Sequence, residues 1–110
     1  HNIIAVGVSD IEITKAINAI IENKGGLSIV DKIGVGTVPL PVAGLMSDQP
    51  AEIVAHGYEQ LSKRAVGLGS HLRAPYMSLS FMALLVIPSL KLSDKGLFDG
   101  DKFEFVSLEN

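Results

Sequence analysis

Cysteine and tryptophan are both missing from this chain of 110 residues, and aromatic residues make up only 5% of it. Without cysteine there is no disulfide scaffold, no thiolate catalysis and no zinc site built on thiolates, and the composition fits a reducing, cytoplasmic compartment. Long hydrophobic runs are lacking too. The longest, Phe81 to Ile87, is seven residues, against roughly 20 for a membrane-spanning helix. No basic segment followed by an apolar one opens the chain, so neither a signal peptide nor a membrane partner is expected. Basic charge is also scarce: 9 Lys and Arg stand against 12 Asp and Glu, a net charge of −3. The whole of that excess lies at the end, where Asp94, Asp99, Asp101, Glu104 and Glu109 face only Lys95 and Lys102. With no basic face there is no electrostatic footprint for a phosphate backbone, and no nucleic-acid partner is expected.

Apolar residues are plentiful, at 47% against 19% charged, with a mean hydropathy of +0.37. The length fits a single domain, residues 1–110, and a chain of this size buries about 65% of its extended surface on folding. So apolar a domain is expected to hide part of its surface against a partner, which in a fragment is the rest of its own polypeptide.

Asn2 to Val8 is dense in β-branched residues and reads as a buried strand. Ser9 with Glu12 has the spacing of a capping box. Ile13, Ala16 or Ile17, and Ile20 then recur at helical spacing until Gly25-Gly26 stops the helix. Leu27 to Ile33 and Val35 to Val42, separated by Gly34, read as a hairpin whose second strand is an edge or frays at Pro39 and Pro41. Asp48, or else Ser47, is a candidate N-cap for a second helix from about Pro50 to Leu68, which carries the stripe Val54, Tyr58, Leu61, Ala65 and Leu68. Gly57 within that helix points to close packing against the sheet. Tyr76 to Phe81 alternates like a strand, although Phe81 to Ile87 also suits a buried helical turn, and the remainder reads as a tail held by Phe103 and Phe105. The expected fold is α+β in the order β-α-β-β-α-β: an antiparallel or mixed sheet of about four or more strands, two helices packed on it, and an extended C-terminal tail.

Few residues suggest chemistry. His1, His56 and His71 never stand as H-x-H or four apart on one helical face, so no metal site within this chain is expected. The serines at 47, 78 and 80 have no base suggested nearby. Gly34-Val35-Gly36 lies between strands instead of opening a helix, so it is a hairpin turn and not a phosphate loop. Asp99 and Asp101 belong to a solvated acidic tail. The loop Gly44-Leu45-Met46-Ser47-Asp48 is the exception, since it brings a glycine, an apolar pair and two polar groups to a helix entrance. The alternative is a capped helix start with Leu45 and Met46 as core contacts.

Two stretches, PLPVAGLMSDQPAEIVA at 39–55 and LSFMALLVIPSLKLSDKGLFD at 79–99, resemble the C-terminal domain of bacterial adenine deaminases, and the opening HNIIAVG fits as well. The resemblance runs from His1 to about Val106, with Leu85 where the family pattern has proline and Ser89 where an acidic residue is usual. It implies a parent enzyme of the amidohydrolase superfamily that hydrolyses adenine to hypoxanthine and ammonia. Such a parent uses manganese or iron held in an upstream β/α barrel of the same polypeptide. This chain, truncated from that longer parent and without the H-x-H motif, is then expected to be inactive alone. His1 and Asn2 match the end of the family's His-Asp-Ser-His-Asn run, and Gly44, Leu45, Met46, Ser47 and Asp48 match its GLMSD stretch. These seven are the candidates for facing substrate or the domain interface, with no confident catalytic residue among them. A homo-oligomer is expected. The competing functions are a small metabolite-binding regulatory module and an oligomerisation module pairing through the edge strand near Val35 to Val42.

Overall fold

The computed structural model describes residues 2–109. Three helices and five strands occur in the order α1 (Asp10–Glu22), β1 (Gly26–Asp31), β2 (Gly34–Pro39), α2 (Ala51–Gly67), α3 (Pro75–Ser80), β3 (Leu90–Ser93), β4 (Gly96–Asp99) and β5 (Glu104–Val106). The expected α+β class is present, with antiparallel strands split into sheets of two and three. The chain forms two compact units. The larger runs from Ala5 to Tyr76, and the smaller gathers residues 2–4 and 77–109.

In the larger unit, Ser9 caps α1 as its spacing predicts, its hydroxyl accepting from the Glu12 N–H at 3.5 Å. The helix stops because Lys24 and Gly25 both take positive φ, and the Gly25 N–H returns to the Ile20 carbonyl. β1 and β2 then pair through a two-residue turn at Lys32-Ile33, and not at Gly34-Val35-Gly36, which open β2: Asp31 lies opposite Gly34 and Gly26 opposite Pro39. Pro39 falls at the end of the ladder, where its missing donor does least harm. α2 lays Leu61, 5% exposed, on Ile29 and Val38, with Leu27, Leu40, Val54, Ala65 and Tyr76 packed around them. Gly57 sits where a Cβ would lie 2.9 Å from Val38 Cγ2, so the close approach anticipated there is real. The same stripe overshoots at Leu68, which follows the last helical residue and is exposed.

Four expectations are corrected. Asn2 to Val8 forms no strand, because no ladder partner for it lies among the described residues. The cap of α2 is Pro50, without a side-chain bond, in place of Asp48 or Ser47. Tyr76 to Phe81 is not a strand: Pro75 to Ser80 is helical and Phe81 to Ala83 continues as a 3₁₀ turn. Six residues are too few to separate period 2 from period 3.6, and Pro75 at the first helical position favours the helix.

The segment 90–106, expected as an extended tail, folds into a sheet of its own. β3, β4 and β5 form an antiparallel meander in the smaller unit, with Phe98 buried and the rings of Phe103 and Phe105 edge-on to it at 5.5 and 5.2 Å. Its acidic groups serve the turns: Asp99 Oδ1 accepts the N–H groups of Asp101 and Lys102, which hold its carboxyl below the usual range. Lys91 is buried, and its ammonium donates to the carbonyls of Ile87 and Pro88.

Candidate functional site

An open groove of about 570 Å³ lies in the larger unit between the segment leaving β2 and the N-terminal half of α2. Leu40, Leu45, Met46, Ser47 and Gln49 line one side, and Ala51, Val54, Ala55 and Tyr58 the other. Its rim is shaped by backbone. Val42 and Met46 bond reciprocally at 3.0 Å, and the loop between them turns through Ala43 and Gly44, both at positive φ. Gly44 rests directly on Gly25, where any Cβ would collide with the Gly44 backbone. The pair Gly25-Gly26 therefore ends α1 and also seats the rim loop.

Leu45 and Met46 are 58% and 56% exposed, so they are not the core contacts the bland alternative requires. Two solvated apolar side chains over an apolar trough suit docking better than folding. The polar groups are locally engaged: Ser47 Oγ accepts the Gln49 N–H at 3.1 Å, and the Gln49 side-chain amide donates to Asp48 Oδ1 at 3.1 Å. Of the sequence candidates, Leu45, Met46 and Ser47 line the groove, Gly44 turns its rim and Asp48 holds Gln49 at its edge. Asn2 lies exposed in the smaller unit, and His1 lies outside the described residues. Sequence reasoning missed Val54 and Tyr58 as lining residues because their helical spacing marked them as core. Gln49 and Leu40 carried no signal beyond their closeness to GLMSD.

A second polar cluster, unforeseen in the sequence, ties the hairpin to α2. Arg64 grips Asp31 with two bonds, Nε to Oδ2 at 2.8 Å and Nη2 to Oδ1 at 2.7 Å, and Nη2 also donates to the Gly34 carbonyl. The guanidinium has room only because Gly36 lacks a Cβ. The side chains of Arg64 and Asp31 are 20% and 8% exposed, and Arg64 beside it holds the Asp31 carboxyl down at about 2. Tyr76 donates to the Ser28 carbonyl at 3.0 Å, and burial pushes its hydroxyl up to about 12. The separation of 33 positions between Asp31 and Arg64 explains why no local pattern announced the pair.

Neither place assembles a nucleophile with a base. Among the described residues no group of three or more His, Cys, Asp or Glu could hold a metal ion, and no helix is long and apolar enough to cross a membrane. His56 and His71 are exposed. Fold and groove together define a small α+β chain with an open, largely apolar groove, and a polar cluster that ties its hairpin to α2. The chain belongs to the adenine deaminase C-terminal domain family, whose profile matches residues 1–104. It is 51% identical over 107 residues to the adenine deaminase of Salinibacter ruber, covering 96% of this chain and 19% of that protein. The adenine deaminase of Methanosarcina barkeri is 54% identical over 98% of this chain and 20% of its own length, and that of Sulfurovum sp. is 55% identical over 96% and 20%. The chain thus spans about a fifth of the length of these relatives. No solved structure gives a significant match.

Proposed function

We propose that this domain supports catalysis in an adenine deaminase, a hydrolase converting adenine and water to hypoxanthine and ammonia, by packing on a catalytic barrel elsewhere in the same polypeptide. The observation that carries the proposal is one of proportion: about half of the residues are identical across nearly the whole chain, yet the match occupies a fifth of proteins named adenine deaminase. Manganese or iron bound in that barrel would supply an activated water. Among the described residues no group of three or more His, Cys, Asp or Glu could hold such a metal, so the metal is assigned to the barrel and no catalytic step to this domain, and the isolated domain is expected to be inactive. The groove rimmed by Leu45 and Met46 is the surface best suited to the barrel, since its lining is apolar and open.

The test is ammonia release from adenine in manganese-containing buffer by the full-length parent, by the parent lacking residues 1–110, and by this domain added back in trans. Loss on deletion and partial recovery on addition support the proposal. Full activity of the deleted parent would refute it, and adenine binding to the isolated domain by calorimetry would favour a metabolite-binding module. In the parent, Met46→Asp should lower activity while leaving the melting temperature of the domain unchanged, because Met46 contributes nothing to the buried core. His1→Ala and Asp48→Ala should lower activity more than stability if those side chains face the site.

A further inference from the structure

Four of the seven residues Asn2 to Val8 are β-branched, Ile3, Ile4, Val6 and Val8, as strands prefer. Yet among the described residues no backbone–backbone hydrogen bond engages any of the seven. Backbone donors and acceptors demand partners once water is removed, so this row of groups either stays wet or completes a sheet elsewhere. Its attachment to the larger unit is specific. A Cβ on Gly7 would lie 2.7 Å from Ile13 Cγ1, so the main chain at Gly7 rests directly on the first turn of α1. Val6 and Val8, one residue to either side of Gly7, are 81% and 103% exposed. Both valines therefore stand in solvent beside the contact at Gly7, with Val8 at the bend that leads into α1.

We infer that Ala5–Val8 adds as a strand to the open edge of a β-sheet formed by the part of the parent polypeptide outside residues 1–110. Strand addition uses what this segment leaves unpaired: main-chain groups give the affinity and alternating valines the register. A helical partner would leave the ladder groups unsatisfied. The parent polypeptide is favoured over a second copy because about four-fifths of each relative lies outside the matched region, and a covalently tethered edge is present at an effective concentration on the order of millimolar. The inference rests on the proposed supporting role for its partner, although not on the reaction that partner performs.

Hydrogen exchange followed by mass spectrometry on the full-length parent tests it. Peptides covering residues 3–8 should show part of their amides slowed by at least about a hundredfold relative to free-chain exchange, as in a paired strand. Free exchange of all of them would overturn the inference. A photoreactive phenyl ketone side chain in place of Val6 then identifies the neighbour. Capture of a peptide from outside residues 1–110 in a product of monomer mass is expected, whereas a product of dimer mass, capture within residues 1–110, or no capture would refute it. Ammonia release measured on the same preparation keeps the two proposals apart: a protected segment in a parent inert toward adenine sinks the deaminase reading alone, and an unprotected one in an active parent sinks the strand addition alone.

Discussion

Replacing Gly57 with alanine sets two opposing effects against each other at one position. In an exposed helix interior the change would stabilise by about 1 kcal/mol, because glycine loses more backbone freedom on folding. At Gly57 the new methyl would sit 2.9 Å from Cγ2 of Val38, which is itself 6% exposed and packed with Ile29 and Leu61 in the core. A valine is stiff about χ1, so the strain is relieved by lifting the helix or by forcing the side chain off its rotamer, at about 1–3 kcal/mol. The net expectation is a loss of about 1 kcal/mol. Gly67, on the same helix, provides the control: a Cβ there meets nothing within 4 Å, so Gly67→Ala should be neutral or stabilise by up to about 1 kcal/mol. Urea unfolding of both variants, followed by tyrosine fluorescence since tryptophan is absent, gives the comparison. Adding Val38→Ala to Gly57→Ala should then cost less than the two single changes summed, by about 0.5 kcal/mol or more, because the clash disappears. Gly57→Ala as stable as Gly67→Ala would refute the account of how α2 approaches the hairpin.

Leu61→Ala should destabilise the domain by roughly 2–4 kcal/mol through a core cavity, given its 5% exposure between Ile29 and Val38; an unchanged thermal midpoint would contradict the packing of α2. Acid sensitivity follows from Asp31, whose carboxyl is lowered from 3.8 to about 2 on folding. The unfolded chain takes up that proton first, so the stabilisation is complete above about pH 4 and lost as the pH falls toward 2. Asp31→Asn should flatten the stability profile in that window, leaving the smaller slopes due to Glu59 and Asp99, which are lowered in the same direction. Tyr76 behaves oppositely, raised from 10.0 to about 12 by burial: the stabilisation is present below pH 10 and fades as pH climbs to 12. Tyrosinate absorbance in a Tyr58→Phe background should show that late titration, and a midpoint near 10 in the folded protein would refute the burial of the hydroxyl.

Elements whose signals are local were legible in the sequence. The Ser9 cap and the double glycine stop stand where expected, and the hairpin and the long stripe of α2 are present with shifted details: the turn is Lys32-Ile33 with Gly34 already in β2, and the stripe ends before Leu68. Failures occurred where the deciding partner is remote. Asn2 to Val8 has strand composition but no ladder to join among the described residues, and composition cannot supply one. Tyr58 shows that a helical stripe wider than the core beneath it leaves a residue lining a groove, and Val54 serves core and groove together, distinctions that periodicity does not encode. The GLMSD loop was marked by residue type, whereas its seat on Gly25 depends on two backbones meeting across 19 positions.

Among the described residues no large side chain is completely buried, and the buried hydrophobic residues are Ile29, Val38, Leu61 and Phe98. A core this thin has a consequence for the life of the polypeptide in a cell. Left uncovered, a domain with so thin a core is expected to open often enough for proteases and chaperones to engage it. Substitutions such as Leu61→Ala would then show first as a reduced amount of protein in the cell.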